Sequence, residues 1–280
     1  MSHPALTSPG TAVITGGAAG IGLAAGVEFA RRGMRVAIAD IRESLFEAAE
    51  QRLRAAGAPD VLTRATDVSD FAAMQALEAA VTARFGGADI VMNNAGTQGS
   101  TSIVGPRETW QQILGVNLWG VINGTQAFLP GMIARGRAGA IINTGSKQGI
   151  TTPPGNPAYN VSKSGVKSFT EALAHELRNT ADARVTAHLL IPGFVFTDLT
   201  RRGRTAKPDD AWTPEQTAAF MIERFEAGDF YILCPDNDVT REIDQKRMAW
   251  AMGDVIENRP ALSRWHPDYA DAFAAYMDDE

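Results

Sequence analysis

The feature that most constrains this chain is a rhythm: short apolar runs alternate with longer stretches whose apolar residues recur at helical spacing. Thr11–Thr15 (TAVIT) reads as a buried strand, followed by a glycine-rich turn and a helix over Ile21–Arg32 that Gly33 ends. Arg35–Asp40 (RVAIAD) is a second strand, a helix near Glu43–Ala56 follows, and Val61–Ala65 is a third strand. Asp70–Phe85 is helical, with Asp70 as the candidate cap, and Ile90–Met92 is a fourth strand. A long helix over Glu108–Arg135, a strand at Ala140–Asn143, a helix over Ala158–Leu177 and a strand at Val185–Ile191 continue the pattern. Pro214–Ala227 and Phe230–Leu233 repeat it once more. Parallel strands need a crossover connection, so this alternation predicts βαβ units. Strands apolar throughout require helices on both faces. The expected fold is therefore α/β: a doubly wound parallel sheet of about seven strands with a C-terminal helical extension.

No Pro/Gly/Ser linker divides this run, so residues 11–236 read as one domain and residues 1–10 as a polar N-terminal tail. The polar stretch 199–213 is expected to be a lid beside a substrate site. Residues 237–280 begin helical and end in a segment rich in Trp, Pro and His. That segment is too apolar to stand free in water, so it should pack on the domain or on a neighbouring subunit. With 280 residues the chain can bury a large core without staples. Its single cysteine, Cys234, excludes an internal disulfide and a multi-thiolate metal site, and a buried inert thiol is the default reading. The formal net charge of −6 argues against nucleic-acid and anionic-membrane partners. Residues 1–10 lack a basic and apolar leader, and no apolar run approaches a membrane span. A cytoplasmic enzyme is the expectation.

The first strand–turn–helix carries Thr-Gly-Gly-Ala-Ala-Gly-Ile-Gly over residues 15–22. Glycines let backbone approach a pyrophosphate, and the helix N-terminus offers free N–H groups and the positive end of a dipole. It is not a P-loop, because no Gly-Lys-Ser/Thr follows. A turn of this kind can be purely structural. Its place between strand and helix, and Asp40 at the end of the second strand, favour a dinucleotide site. A carboxylate there accepts from ribose hydroxyls and repels a 2′-phosphate, which favours NAD(H). Arg42, two residues on, keeps NADP(H) in play.

Further motifs follow in order: Asn93-Asn94-Ala95-Gly96 after the fourth strand, Asn117 in VNLWG, Ser146 opening a Ser-x-x-Gly, Tyr159-x-x-x-Lys163, and Pro192-Gly193 with Thr197. Together with the glycine turn they resemble the short-chain dehydrogenase/reductases over approximately residues 10–235. The resemblance implies a Rossmann-type domain and a catalytic set of Asn117, Ser146, Tyr159 and Lys163. It implies cofactor contacts from Gly16, Ala19, Gly20, Ile21, Gly22, Asp40, Ile41, Asp67, Val68, Asn94, Ala95, Gly96, Tyr159, Lys163, Pro192, Gly193, Val195 and Thr197. It places a substrate pocket among Gln98, Gln148, Pro153, Pro154, Asn156, Phe194 and Leu199, with Trp212 on the lid. It further implies a dimer or tetramer built through the helices 108–135 and 158–177.

The chemistry stands beside the resemblance. Reduction of a ketone by hydride needs a proton for the developing alkoxide, and oxidation of an alcohol needs the reverse. A phenol with an ordinary pKa of about 10 requires help to serve as a base. Lys163, four residues after Tyr159 on a helix, shares its face and can stabilise the tyrosinate. Ser146 would hydrogen-bond the substrate oxygen. Asp67 could instead be a helix cap, and Asn94–Gly96 only a strand-ending turn. The four histidines show no metal spacing, and Arg201-Arg202-Gly203-Arg204 reads as a solvated loop before an anion site. An NAD(H)-dependent alcohol dehydrogenase or ketone reductase of a bulky, uncharged small-molecule substrate is the leading expectation. A non-catalytic dinucleotide sensor, or an imine or enoyl reductase, are the alternatives.

Overall fold

The computed structural model describes residues 3–6, 9–201 and 203–279. Seven strands form one parallel sheet: β1 (Thr11–Thr15), β2 (Arg35–Asp40), β3 (Val61–Ala65), β4 (Ile90–Asn93), β5 (Gly139–Thr144), β6 (Val185–Ile191) and β7 (Tyr231–Leu233). Their order is β3-β2-β1-β4-β5-β6-β7, with Val13 of β1 level with Ala37 of β2 and Val91 of β4. Strand order reverses between β1 and β4, and a crevice opens there at the C-terminal ends of the strands.

The alternation of side chains along each strand assigns two cores. Ala12, Ile14, Val36, Ile38, Ile90, Met92, Ala140 and Ile142 face one side. There they meet Leu53 of α2 (Phe46–Ala55), Phe29 of α1 (Gly20–Arg31) and Phe225 of α8 (Pro214–Glu226). Val13, Ala37, Ala39, Val91 and Ile141 face the other side. Their partners are Leu77 of α3 (Phe71–Phe85), Phe128 of α5 (Gly120–Ala134) and Leu173 of α7 (Pro157–Asn179). A fully buried parallel sheet needs both coats, so the apolar strand sequences and the amphipathic helices require one another.

Several boundaries have local causes. Asp70 accepts from Ala72 N at 2.9 Å and starts α3, and Gly86 ends it in the left-handed conformation. Thr213 and Gln216 form a capping box at the start of α8. The helix expected over 108–135 is α4 (Arg107–Leu114) and α5 joined by a π-helical turn, Gly115–Trp119. The helix expected near 43–56 opens with a 3-10 turn at Glu43–Leu45 before α2.

At the N-terminus Ala5 and Leu6 are buried in the first core, and the His3 ring stacks on Phe225 at 4.2 Å. Met1, Ser2, Thr7 and Ser8 of the expected tail lie outside the described residues. At the other end, α9 (Arg241–Ile256) and α10 (Ala270–Asp278) form a small satellite around Trp250. Trp250 donates Nε1–H to Ser263 Oγ at 2.7 Å, and the rings of Phe273 and Tyr276 lie 5.2 and 5.1 Å from it. The Arg259 guanidinium covers its face at 4.1 Å. Among the described residues no helix is long and apolar enough to cross a membrane.

Candidate active site

The crevice at the strand ends is a cleft of about 620 Å³ that runs from Asp40 and Arg42 to Ser146, Tyr159 and Lys163. Its floor is the β1–α1 turn. The first bond of α1 is Leu23 N to Ala19 O, so the N–H groups of the first turn have no intrahelical acceptor and face the cleft end of the helix. The turn is tight because glycine makes it so. Gly16 has φ of +62°, and a Cβ there would stand 2.9 Å from Ala95 Cα. A Cβ on Gly22 would stand 2.6 Å from Asn94 Nδ2 and closer still to the Gly16 carbonyl oxygen. Asn94 ties the turn to β4: its Nδ2 donates to Thr15 O at 3.1 Å, and its backbone N–H donates to Thr15 Oγ1 at 3.0 Å.

Asp40 sits at the far end, 6 % exposed. Its Oδ2 accepts from Ala18 N at 3.3 Å, and its Oδ1 accepts from the backbone and Nε of Arg42 at 3.1 and 3.3 Å. Arg42 also reaches Asp198 at 3.3 Å, across the cleft mouth. Asp67 accepts from the N–H and hydroxyl of Ser69 at 2.9 and 2.7 Å and lines the cleft beside Val68.

At the other end, α7 carries Tyr159 and Lys163 one turn apart, started by Pro157 at its first position. Ser146 follows β5, its Oγ accepting from Gln148 N at 3.2 Å. Lys163 is 4 % exposed and donates Nζ–H to Thr144 O at 2.8 Å. Its Nζ lies 5.8 Å from the centre of the Tyr159 ring. Burial pushes the Lys163 ammonium down to about 8. Burial raises the Tyr159 phenol above its ordinary value, opposed by a hydrogen bond from the Ser146 hydroxyl. The phenol is therefore held protonated at neutral pH.

Asn117 is buried behind these groups, in the π-helical turn. It accepts from Thr97 N at 2.7 Å and donates to Thr97 O at 2.9 Å and Ser162 Oγ at 3.1 Å. A π turn inserted in a helix re-aims its side chains, and here it clamps α5 to the segment after β4.

Every expected cofactor residue except Gly22 lines the cleft, and Gly22 lies directly under it. The expected substrate residues divide. Leu199 lines the cleft, and Gln98 donates Nε2–H to the Leu199 carbonyl across it. Asn156 accepts from Thr101 Oγ1 at 2.7 Å, and Pro154 is exposed. Trp212 pairs with Val195, and its ring packs on Phe220 of α8 at 5.7 Å. Gln148, Pro153 and Phe194 stand outside the lining as well. Arg201 pairs with Asp198 at 3.1 Å, and Arg202 lies outside the described residues. Unforeseen lining comes from Thr66, Ser69, Thr97, Gln111, Gln112, Thr144, Asp198 and Thr200. Thr66 directly follows β3 and Thr144 ends β5, positions that themselves mark the crevice of a parallel sheet. Gln111 and Gln112 gave no such signal. Among the described residues no group of three or more His, Cys, Asp or Glu is placed to hold a metal.

The glycine turn, the free N–H groups, the carboxylate at the second strand and the length of the cleft fit a dinucleotide. Comparison with known proteins decides the family: residues 10–208 match the short chain dehydrogenase family. The chain belongs to the short-chain dehydrogenase/reductases. It is 31% identical to a 1-deoxy-11-beta-hydroxypentalenate dehydrogenase of Streptomyces avermitilis, over 86% of this chain and 90% of that one. It is 32% identical to a D-beta-hydroxybutyrate dehydrogenase of Cupriavidus necator, over 79% and 84%. A short-chain dehydrogenase/reductase of Burkholderia phymatum, solved in complex with NAD, superposes with a TM-score of 0.79 at 32% identity, over 89% of this chain and 95% of that one. As a short-chain dehydrogenase/reductase the chain is an oxidoreductase by family, and its relatives include dehydrogenases of hydroxylated substrates.

Proposed function

We propose that this short-chain dehydrogenase/reductase interconverts a secondary alcohol and a ketone with NAD(H), Tyr159 carrying the proton. The observation that carries the reading is the convergence of the Tyr159 phenol, the Ser146 hydroxyl and the Lys163 ammonium at one end of a cleft whose other end is Asp40. Bound there, a nicotinamide dinucleotide supplies the hydride donor or acceptor. Gly16, Gly20, Asn94 and Gly193 would hold it along the floor, and Asp40 would accept from the adenosine ribose hydroxyls while disfavouring a 2′-phosphate.

The chain's own groups do the rest. Ser146 donates to the substrate oxygen and fixes it, which contributes orientation and stabilises developing negative charge. The protonated Tyr159 donates its O–H to the alkoxide in reduction, and the tyrosinate removes the hydroxyl proton in oxidation. Lys163, charged at neutral pH and anchored on Thr144 O, favours the tyrosinate once it forms and would hold the nicotinamide ribose of a bound cofactor. Asn117 secures the wall behind them through Thr97 and Ser162. Because burial keeps the phenol protonated, reduction is the better poised direction at neutral pH, and oxidation should accelerate as pH rises.

The substrate is a bulky, uncharged secondary alcohol or ketone, admitted beside Leu199 and Thr97, with Gln98 holding the Leu199 carbonyl. The protein acts as a homo-oligomer of the kind usual for the family and needs no nucleic-acid or membrane partner. The test is a panel followed at 340 nm with NADH and with NADPH. It comprises 1-phenylethanol and acetophenone, cyclohexanol and cyclohexanone, and 3-hydroxybutyrate, with an imine and an enoyl thioester as controls. Turnover of a ketone with NADH supports the reading, whereas turnover of only the imine or enoyl compound, or binding of NADH with no turnover at all, overturns it.

A further inference from the structure

Lys147 follows Ser146 directly and precedes a short helix, α6 (Gln148–Thr151). Its Nζ stands 2.6 Å from Oδ2 of Asp244 and 3.4 Å from Oδ2 of Asp236. The three side chains are 18 %, 6 % and 8 % exposed, so the ions meet away from bulk water. Asp236 also holds the chain after β6: its Oδ2 accepts from Phe194 N at 3.2 Å, and its Oδ1 from Val239 N at 2.8 Å. Asp244 belongs to the first turn of α9, a helix capped by Thr240, whose hydroxyl accepts from Ile243 N at 3.4 Å. One ammonium thus joins three separate pieces of chain. They are the segment carrying Ser146, the Pro192–Phe194 segment whose first two residues wall the cleft, and the C-terminal extension.

Buried ion pairs are poor sources of stability, because desolvation offsets much of their attraction, but their geometry is specific. Arg247 and Arg264 are the other charges facing Asp244, lining the same small recess behind α6. With them three cations face two carboxylates, and the contact lengths to Lys147 define where the segment starting at Ser146 can sit. The reaction needs that hydroxyl within a fraction of an ångström of its working place, and an error of about 1 Å can cost on the order of 100-fold in rate.

We propose that Asp244 and Asp236, acting through Lys147, are positioning residues: a buried charge clamp by which the C-terminal extension fixes Ser146 against the Pro192–Gly193 wall of the cleft. The extension is then part of the working site although it contributes no group to the cleft lining. The proposal rests on the role given to Ser146 above, and its test separates the two.

Four proteins are compared with NADH and the fastest ketone of the panel: the native chain, Asp244→Asn, Ser146→Ala and the double variant. Asp244→Asn keeps the shape and removes the charge. It is expected to lower kcat at least tenfold while the NADH dissociation constant, read by fluorescence titration, stays within about threefold. If Asp244 acts through Ser146, the double variant is no slower than Ser146→Ala alone, within about twofold. Asp244→Glu, which restores the charge, should recover part of the loss. A native kcat in Asp244→Asn, or losses that multiply in the double variant, overturns the clamp. A native rate in Ser146→Ala overturns instead the role of Ser146 on which the clamp depends. Should far-UV circular dichroism show Asp244→Asn unfolded, Lys147→Gln paired with Ser146→Ala is read by the same criteria.

Discussion

Lys163 offers a prediction that separates the cost of an active-site charge from its use. Burial depresses its ammonium from 10.5 to about 8. At 1.36 kcal/mol per pH unit, that displacement corresponds to about 3 kcal/mol by which the folded protein disfavours the charged form. The folded-state pKa lies below the unfolded one, so the unfolded chain binds the extra proton. The penalty is therefore fully present below about pH 8 and is relieved as pH rises from about 8 towards 10.5. Lys163→Met removes the titration while keeping an unbranched side chain in the 4 % exposed site. The variant also loses the 2.8 Å bond to Thr144 O, and the part of that bond that changes as the ammonium titrates is already contained in the pKa displacement. Urea unfolding of both proteins at pH 7 and 9.5, read by tryptophan fluorescence at one protein concentration, isolates the linkage. The native protein should gain about 2 kcal/mol relative to the variant between the two pH values. Turnover should be absent from the variant throughout. A stability difference that does not change with pH would refute the reasoning, because it would mean that Lys163 titrates alike in the folded and unfolded chains.

Gly22→Ala places a Cβ 2.6 Å from Asn94 Nδ2 and closer to the Gly16 carbonyl, so the turn must shift. An NADH dissociation constant raised at least tenfold is expected by fluorescence titration, with a stability loss of about 1–3 kcal/mol. Asp40→Ser removes the carboxylate that opposes a 2′-phosphate while Arg42 remains. The ratio of kcat/KM for NADPH to that for NADH should rise by about tenfold or more, and an unchanged ratio would remove Asp40 from cofactor choice. Burial and the neighbouring His188 push the His3 imidazole down to about 4, so its neutral form is the one that packs on Phe225. The stability it contributes is present above about pH 6.5 and is lost as pH falls towards 4. The native protein should therefore weaken relative to His3→Phe across that window, measured by urea unfolding.

The sheet and its helices were legible because apolar period and turn residues are local signals, and because parallel strands leave few topologies. The same locality made Tyr159 and Lys163 readable as a pair, since four residues on a helix is one turn of one face. What the pattern could not show depended on contacts between distant pieces. Asn117 was legible as a motif residue, but its π-helical turn follows from the hydrogen bonds to Thr97 and Ser162. Trp212 looked suited to a lid, yet loop residues carry no periodicity to fix their direction, and its ring packs on Phe220. Ala5 and Leu6 sit in a polar stretch that gave no sign of burial, and His3 anchors it beside Thr186 and His188. Lys147 gave no local reason to meet Asp244 from the far end of the chain.

The account turns on Tyr159 as the proton carrier, and Tyr159→Phe tests that most directly. The ring is retained and only the O–H is lost, so the cleft should keep its shape. An NADH dissociation constant within about twofold of the native value is predicted, together with a kcat for ketone reduction lowered on the order of 100-fold or more. Tight NADH binding with more than about a tenth of the native kcat would contradict it, for the proton would then come from another group.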